Sequence, residues 1–294
     1  MPLVVSHILG GIGNQMFQYS AARALSLANG QPLLVDLGDF SNYALHNGYE
    51  LNRVFNIDVQ SADGTAVRKV LAWRASHSAR KILRRSFFSW FRGSKLVVEP
   101  ALGYWPGIGD VHGDCYLSGY WQSERYFKSC EATIRQDFTF RDPLTGRNAE
   151  LATEISQSNA ISLHVRRGDY VTDRKTSQIM ETCSLDYYQH AINYLAERVE
   201  RPMFYVFSDD IAWCKQSLVI KFPCVYIDHN IGRESYRDMQ LMSLCRHYVI
   251  ANSSFSWWGA WLNPKPEKIV VTPKRWFRNG TDDRDLIPGE WKRL

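Results

Sequence analysis

The sequence predicts an α/β fold made of two Rossmann-like domains, each built on a parallel sheet. From residue 161 onward, short apolar runs alternate with helix-patterned segments, the rhythm of parallel strands joined by crossover helices. The chain opens in the same way, as strand, glycine-rich turn and helix. Its 294 residues, at roughly 150 per domain, suffice for two such units.

In the first half, residues 3–9 read as a strand, Gly10–Asn14 as a tight turn, 15–29 as a helix and 33–37 as a second strand. Residues 39–64 are loop-rich and 65–92 helical, and 96–114 hold six glycines and prolines before a strand at 115–119. Asp142–Arg147, with Pro143 and Gly146, is the hinge candidate, giving domains 1–150 and 151–294. In the second half, strands fall at 161–165, 203–207, 224–227, 247–251 and 269–272. Helices fall at 185–198, 211–218, 234–245 and 255–262, the last stopped by Pro264.

A chain 45% hydrophobic and 22% charged is not disordered, collagenous or a coiled coil. No window reaches the roughly 18 uninterrupted apolar residues of a spanning helix, and no basic n-region precedes a long apolar stretch, so a soluble, cytoplasmic protein is expected. Six cysteines without a C-x-x-C pair read as reduced thiols. Eight histidines without ligand spacing argue against a bound metal. The net charge of +5 hides an asymmetry: residues 65–98 hold nine Lys or Arg and no acid, which leaves the remainder at −4. These basic residues are interleaved with Trp73, Phe87, Phe88, Trp90 and Phe91. Such a block suits a solvated helical face, an anionic bilayer surface or nucleic acid. Peripheral contact with an anionic membrane through residues 65–95 is the partner expectation, and nucleic acid is not.

Two segments carry chemistry. In Ile161-Ser-Leu-His-Val-Arg-Arg-Gly-Asp-Tyr170, strand alternation turns His164 and Arg166 the same way at the carboxyl end of a strand, where open parallel sheets bind ligands. Arginine there suits bidentate phosphate recognition; the plain alternative is an ion pair between Arg166 or Arg167 and Asp169. In residues 247–262 a strand runs into a helix whose start holds Asn252, Ser253, Ser254 and Ser256, residue types that cap helices and also build anion sites. Trp257, Trp258 and Trp261 are read as helix packing rather than a sugar platform.

Other strands end in Ser208, Asp209 and Asp210, and in Asp228, with Asp238 opening the next helix. Carboxylates so placed hold ribose hydroxyls or guanine N–H groups, or cap helices, and Asp210 is read as a cap. The turn Gly10-Gly-Ile-Gly-Asn-Gln15 lacks the third glycine of a dinucleotide fingerprint, Met16 standing there. Asp283-Arg-Asp285 lies in a polar tail and is discounted as a metal site.

Taken together, Gly10–Tyr19, His164–Tyr170 and Ala251–Asn263 resemble the alpha-1,2-fucosyltransferases of glycosyltransferase family 11. The likeness runs in order over nearly the whole chain. It implies a GT-B fold: two facing Rossmann-like domains, the first for the acceptor, the second for GDP-fucose, with no cofactor and no obligatory metal. By position, Arg166 would contact the diphosphate, His164 and Asp238 the guanosine, and Ser253, Ser254 and Phe255 the phosphate cleft, with Ser208, Asp209 and Asn252 beside them. Asn14 would face the donor sugar.

The implied reaction is inverting transfer of L-fucose from GDP-β-L-fucose to the 2-hydroxyl of galactose in a cell-surface or lipid-linked glycan such as an O-antigen. Arg166, Asp169 and Asp173 form the catalytic set. Related alpha-1,6 enzymes carry a Glu ten residues past the motif His, where this chain has Arg174. The base is therefore open among Asp169, Asp173, Asp36 and Asp39. Acceptor choice is expected around residues 39–50 and 104–121, where Trp105, Tyr120 and Trp121 either stack on sugars or serve as ordinary aromatic packing. The rival readings are a GDP-fucose enzyme of another linkage, a dinucleotide-dependent oxidoreductase and a non-enzymatic lipid or RNA binder.

Overall fold

The computed structural model describes residues 2–42 and 46–294, so Tyr43–Leu45 of the expected acceptor loop lie outside the described residues. The chain divides into two compact units: Met1–Arg141 with Arg284–Leu286, and Asp142–Asp283 with Ile287–Leu294. Residues 142–150, placed with the N-terminal half by sequence, thus belong to the second unit. There Arg237 and Gln240 donate to the Asp142 carbonyl at 3.0 and 3.1 Å.

The first unit runs β1 (Val4–His7), α1 (Ile12–Asn29), β2 (Leu33–Asp36), α2 (Leu51–Val54), β3 (Gln60–Ser61), α3 (Gly64–Leu71), α4 (His77–Leu83), β4 (Leu96–Val98), β5 (Cys115–Ser118) and α5 (Glu131–Asp137). Its sheet is parallel throughout, in the order β3-β2-β1-β5-β4. Most of α1 is buried, and the helix stops where Gly30 turns left-handed (φ 61°) and its N–H caps the last carbonyls. The stretch 65–92 is not one helix. Ala72, at φ 51°, breaks it into α3 and a 3-10 turn, followed by α4 and a second 3-10 segment, Ser86–Phe91. Strand β4 escaped the sequence reading because three residues among glycines and prolines carry no periodicity.

The second unit runs α6 (Gly146–Ser156), β6 (Asn159–Val165), α7 (Gly168–Thr172), α8 (Arg174–Ile179), α9 (Leu185–Ala196), β7 (Pro202–Ser208), α10 (Ile211–Ser217), β8 (Cys224–Ile227), α11 (Tyr236–Leu244), β9 (His247–Val249), α12 (Ser254–Leu262), β10 (Val270–Thr272) and β11 (Lys292–Arg293). All five expected strands and four expected helices form, within a few residues at their ends. The sheet order is β11-β10-β9-β6-β7-β8, every pairing parallel. Counted from β6, this is the Rossmann order 3-2-1-4-5-6, whose direction reverses between β6 and β9. Ile161, Leu163 and Val165 pack into one core with Phe204, Val206 and Val249, so β6 is the buried centre of the sheet.

Candidate active site

In a doubly wound sheet, ligands enter the crevice beyond the carboxyl ends of the strands at the point of reversal. Here that point lies between β6 and β9, and the two motif segments leave the sheet there. Strand β6 runs on into Arg166–Tyr170, and β9 into Asn252–Phe255. The Tyr170 hydroxyl donates to the Asn252 carbonyl at 2.8 Å, and the His164 ring lies against Phe255, 5.8 Å between centroids.

Arg166 is held between two carboxylates. One guanidinium nitrogen is 2.7 Å from Asp169 and the other 3.1 Å from Asp209. Burial opposes its charge, but Asp209 and Asp169 outweigh burial and keep it cationic. The expected ion pair with Asp169 thus exists, with Asp209 as a second partner. Arg167 turns away, pairing with Asp210 at 3.2 Å and lying over the Trp213 ring. Gly168 is required here: a Cβ would sit 2.5 Å from Asp209 Oδ2.

His164 is buried, and burial holds its imidazole neutral, with the Arg166 charge acting in the same direction. Its Nδ1 is buried without a hydrogen-bond partner among the described residues, an unmet group that a ligand can satisfy. Ser253 precedes α12 but makes no side-chain cap. The first bond back to it comes from Trp257 at 3.0 Å, which leaves the first-turn N–H groups of Ser254 and its two successors as open donors. The hydroxyls expected as caps therefore do not cap this helix.

The rest of the motif is structural. Trp257, Trp258 and Trp261 are buried, their rings 5.0–6.1 Å apart, as packing predicted. Gly259 lets α11 approach, since a Cβ would stand 2.9 Å from Met242 Cβ. Asn252 spends its amide on the Glu181 and Trp276 carbonyls, so its side chain staples loops together. Ser208 accepts from the Asp210 N–H, and Asp210 caps α10 through Trp213, as expected of it. Asp238 opens α11; burial pushes its carboxyl up to about 7, against the Asn230 amide that donates to it at 2.8 Å. Asp283 binds the Trp276 N–H and Arg293, and Asp285 binds the Tyr104 N–H and Arg125, so both carboxylates of the discounted D-x-D serve folding.

Among the acids considered as base, Asp173 caps α8 through both the N–H and hydroxyl of Thr176, and these bonds hold its pKa down. Asp36 accepts from Arg80, Tyr116 and the Gly38 N–H. Asp39 is bound by His7, which holds its carboxyl at about 2. The group missed by sequence is Glu99, just past β4. It accepts from the N–H groups of Tyr120 and Trp121 at 2.6 and 3.0 Å, yet burial pushes its carboxyl up to about 7. It shares the carboxyl end of the first sheet with His7 and with Asn14, whose side-chain oxygen accepts from Gln122. A lone Glu in a glycine- and proline-rich stretch carries no pattern that could have marked it. Trp121 is wholly buried, edge-on to Tyr126, and so is no sugar platform, whereas Tyr120 is exposed.

Residues 106–291 match the model of glycosyl transferase family 11. The chain belongs to glycosyltransferase family 11. Among its relatives, an alpha-1,2-colitosyltransferase of Escherichia coli is 36% identical, the alignment covering 100% of this chain and 99% of that protein. The O-antigen biosynthesis glycosyltransferase WbnK of Escherichia coli is 32% identical, over 98% and 99% of the two chains. Among solved structures, NodZ, an alpha-1,6-fucosyltransferase from Bradyrhizobium, superposes with a TM-score of 0.55 at 16% identity, over 90% of this chain and 93% of its own. That likeness shows the GT-B class of fold. The family 11 enzyme contains no described helix long and apolar enough to cross a membrane.

Proposed function

We propose that this glycosyltransferase moves L-fucose from GDP-β-L-fucose to the 2-hydroxyl of a galactose in a cell-surface glycan, with inversion and without a metal or other cofactor. The supporting observation is the convergence, at the reversal point of the second sheet, of the Arg166 cation, the open N–H groups of α12 and the unmet His164 Nδ1. A diphosphate needs fixed positive charge and N–H donors; a guanosine needs ring and carboxylate partners. In this reading Arg166, Ser253, Ser254 and the α12 N–H groups hold the diphosphate. His164, Phe255 and Asp238 hold the nucleoside. Asp169 and Asp209 aim Arg166, while Asn252 and Ser208 shape the loops around it.

As the bond from the sugar C1 to the β-phosphate oxygen breaks, negative charge grows on the departing GDP. Arg166 and the α12 N-terminus stabilise it. The acceptor O2 bonds to C1 on the opposite face, and its proton passes to a general base, the place that Asp169, beside Arg166, can fill.

A second donor is favoured by the colitosyltransferase relative. Colitose is L-fucose without its 3-hydroxyl, so turnover of GDP-fucose against GDP-colitose decides between them. A site that hydrogen-bonds that hydroxyl rejects the deoxy sugar by about 10,000-fold. The acceptor in either case is a galactose-terminated oligosaccharide or lipid-linked glycan handled in the cytoplasm. The decisive binding experiment is calorimetry with GDP, UDP and NAD in EDTA across pH. GDP is expected to bind selectively. Its affinity should fall up to about tenfold per pH unit below about 7, because protonated Asp238 loses its acceptor, and Asp238→Asn should abolish that dependence. Preference for NAD would favour the oxidoreductase, and a requirement for divalent metal would overturn the metal-free mechanism.

A further inference from the structure

Exposed aromatic side chains are concentrated in one segment. Among the described residues, every exposed tryptophan or phenylalanine lies between 73 and 91: Trp73, Phe87, Trp90 and Phe91 are 63%, 83%, 93% and 59% exposed. A solvated helical face, the plain reading of this block, would carry polar residues outward and apolar ones inward. The inward side here is already filled. Val67, Val70, Leu71 and Leu83 pack with Leu3, Val5 and Tyr116, and Phe88 leans on the same cluster.

The outward aromatics are held in place. Phe87 and Trp90 stand on either side of a kink at Phe88 (φ −99°, ψ 17°) in the segment Ser86–Phe91, and the Phe87 ring rests edge-on against Phe88, 5.1 Å between centroids. Arg74 Nε donates to the Phe91 carbonyl at 2.6 Å, and Arg92 donates to the Leu83 and Arg84 carbonyls, which ties the segment to the helix and turn before it. Around these rings, residues 65–98 carry nine Lys or Arg and no acid. Lys81 and Arg85 are exposed and have no ion-pair partner among the described residues.

We propose that the segment Trp73–Phe91 is a membrane-docking surface that lays Phe87, Trp90 and Phe91 into the headgroup region of an anionic bilayer, with Lys81 and Arg85 on the lipid phosphates. Aromatic rings at the apolar–polar boundary combined with unpaired cations are the chemistry of interfacial binding. Single-stranded nucleic acid would stack its bases on the same rings beside the same cations, and it is the outcome that the RNA competition below tests. This docking stands apart from the donor reading, since none of these residues belongs to the proposed site.

The test is co-sedimentation of the full chain with vesicles of phosphatidylcholine mixed with phosphatidylglycerol, and with phosphatidylcholine alone, at low and high salt. Salt-sensitive binding to the mixed vesicles is expected. Phe87→Ser with Trp90→Ser should weaken it about tenfold or more, and Lys81→Glu with Arg85→Glu likewise. Transfer to a soluble galactoside acceptor should be unchanged in both variants, which separates failed docking from failed catalysis. Absence of binding to mixed vesicles overturns the proposal. So does binding that ignores the serine substitutions while an RNA oligonucleotide competes for it, which would make the block a general polyanion site. A concentration-dependent dimer dispersed by Trp90→Ser would assign the rings to a second copy of the chain instead.

Discussion

Arg166→Ala is expected to lower kcat/KM at least about 100- to 1000-fold, and to weaken GDP binding, with the fold retained. Its guanidinium is the cation that two strand-end loops, after β6 and after β7, converge to hold. Removing it leaves Asp169 and Asp209 facing the phosphate site uncompensated, so the variant loses a positive charge and gains exposed negative ones. Arg166→Lys should recover little, because a single ammonium cannot reach both carboxylates and still offer a planar pair of donors to phosphate. Initial rates with a galactose-terminated acceptor, read beside GDP calorimetry and a thermal melt, check this. Activity within about tenfold of wild type would place Arg166 among the structural ion pairs.

Trp258→Ala is expected to act in the opposite manner, on stability rather than on chemistry. The side chain is wholly buried, its ring 5.0 and 5.1 Å from those of Trp257 and Trp261. Emptying such a site costs about 3–5 kcal/mol. For a unit of this size the melting temperature should fall by roughly 6–20 °C. Thermal unfolding followed by far-UV circular dichroism checks it. An unchanged melt with a raised acceptor KM would mean that the tryptophans form a sugar platform after all.

The second sheet was readable because central parallel strands are buried on both faces and separated by helices long enough to show their period. Five of its six strands and four of the unit's seven α-helices follow from that alone. Residues 65–92 are helical over most of their length, as read, but their basic and apolar pattern could not show the breaks between segments, one of them at Ala72, whose positive φ no local propensity announces. The edge strands β3 and β11, two residues each, carry no pattern at all.

In the site, residue type marked Arg166 and His164, since strand alternation puts them together whatever surrounds them. Alternation could not say that Asp209 would share the guanidinium, because that pairing joins loops from two different strands through the space left by Gly168. Nor could it divide the helix-start residues into the uncapped turn at Ser253 and Ser254 and the stapling side chain of Asn252. Asp173 and Glu99 differ in the same way. Both are acids, but Asp173 caps a short helix and is held low, while Glu99, just past β4, is half-buried and raised to about 7.

Sequence by itself determined the fold class and the family, because both rest on local periods and on contiguous motifs. Tertiary structure alone decided which polar groups are spent on the fold and which are left for a ligand, since burial and hydrogen-bond partners come from residues far apart in the chain.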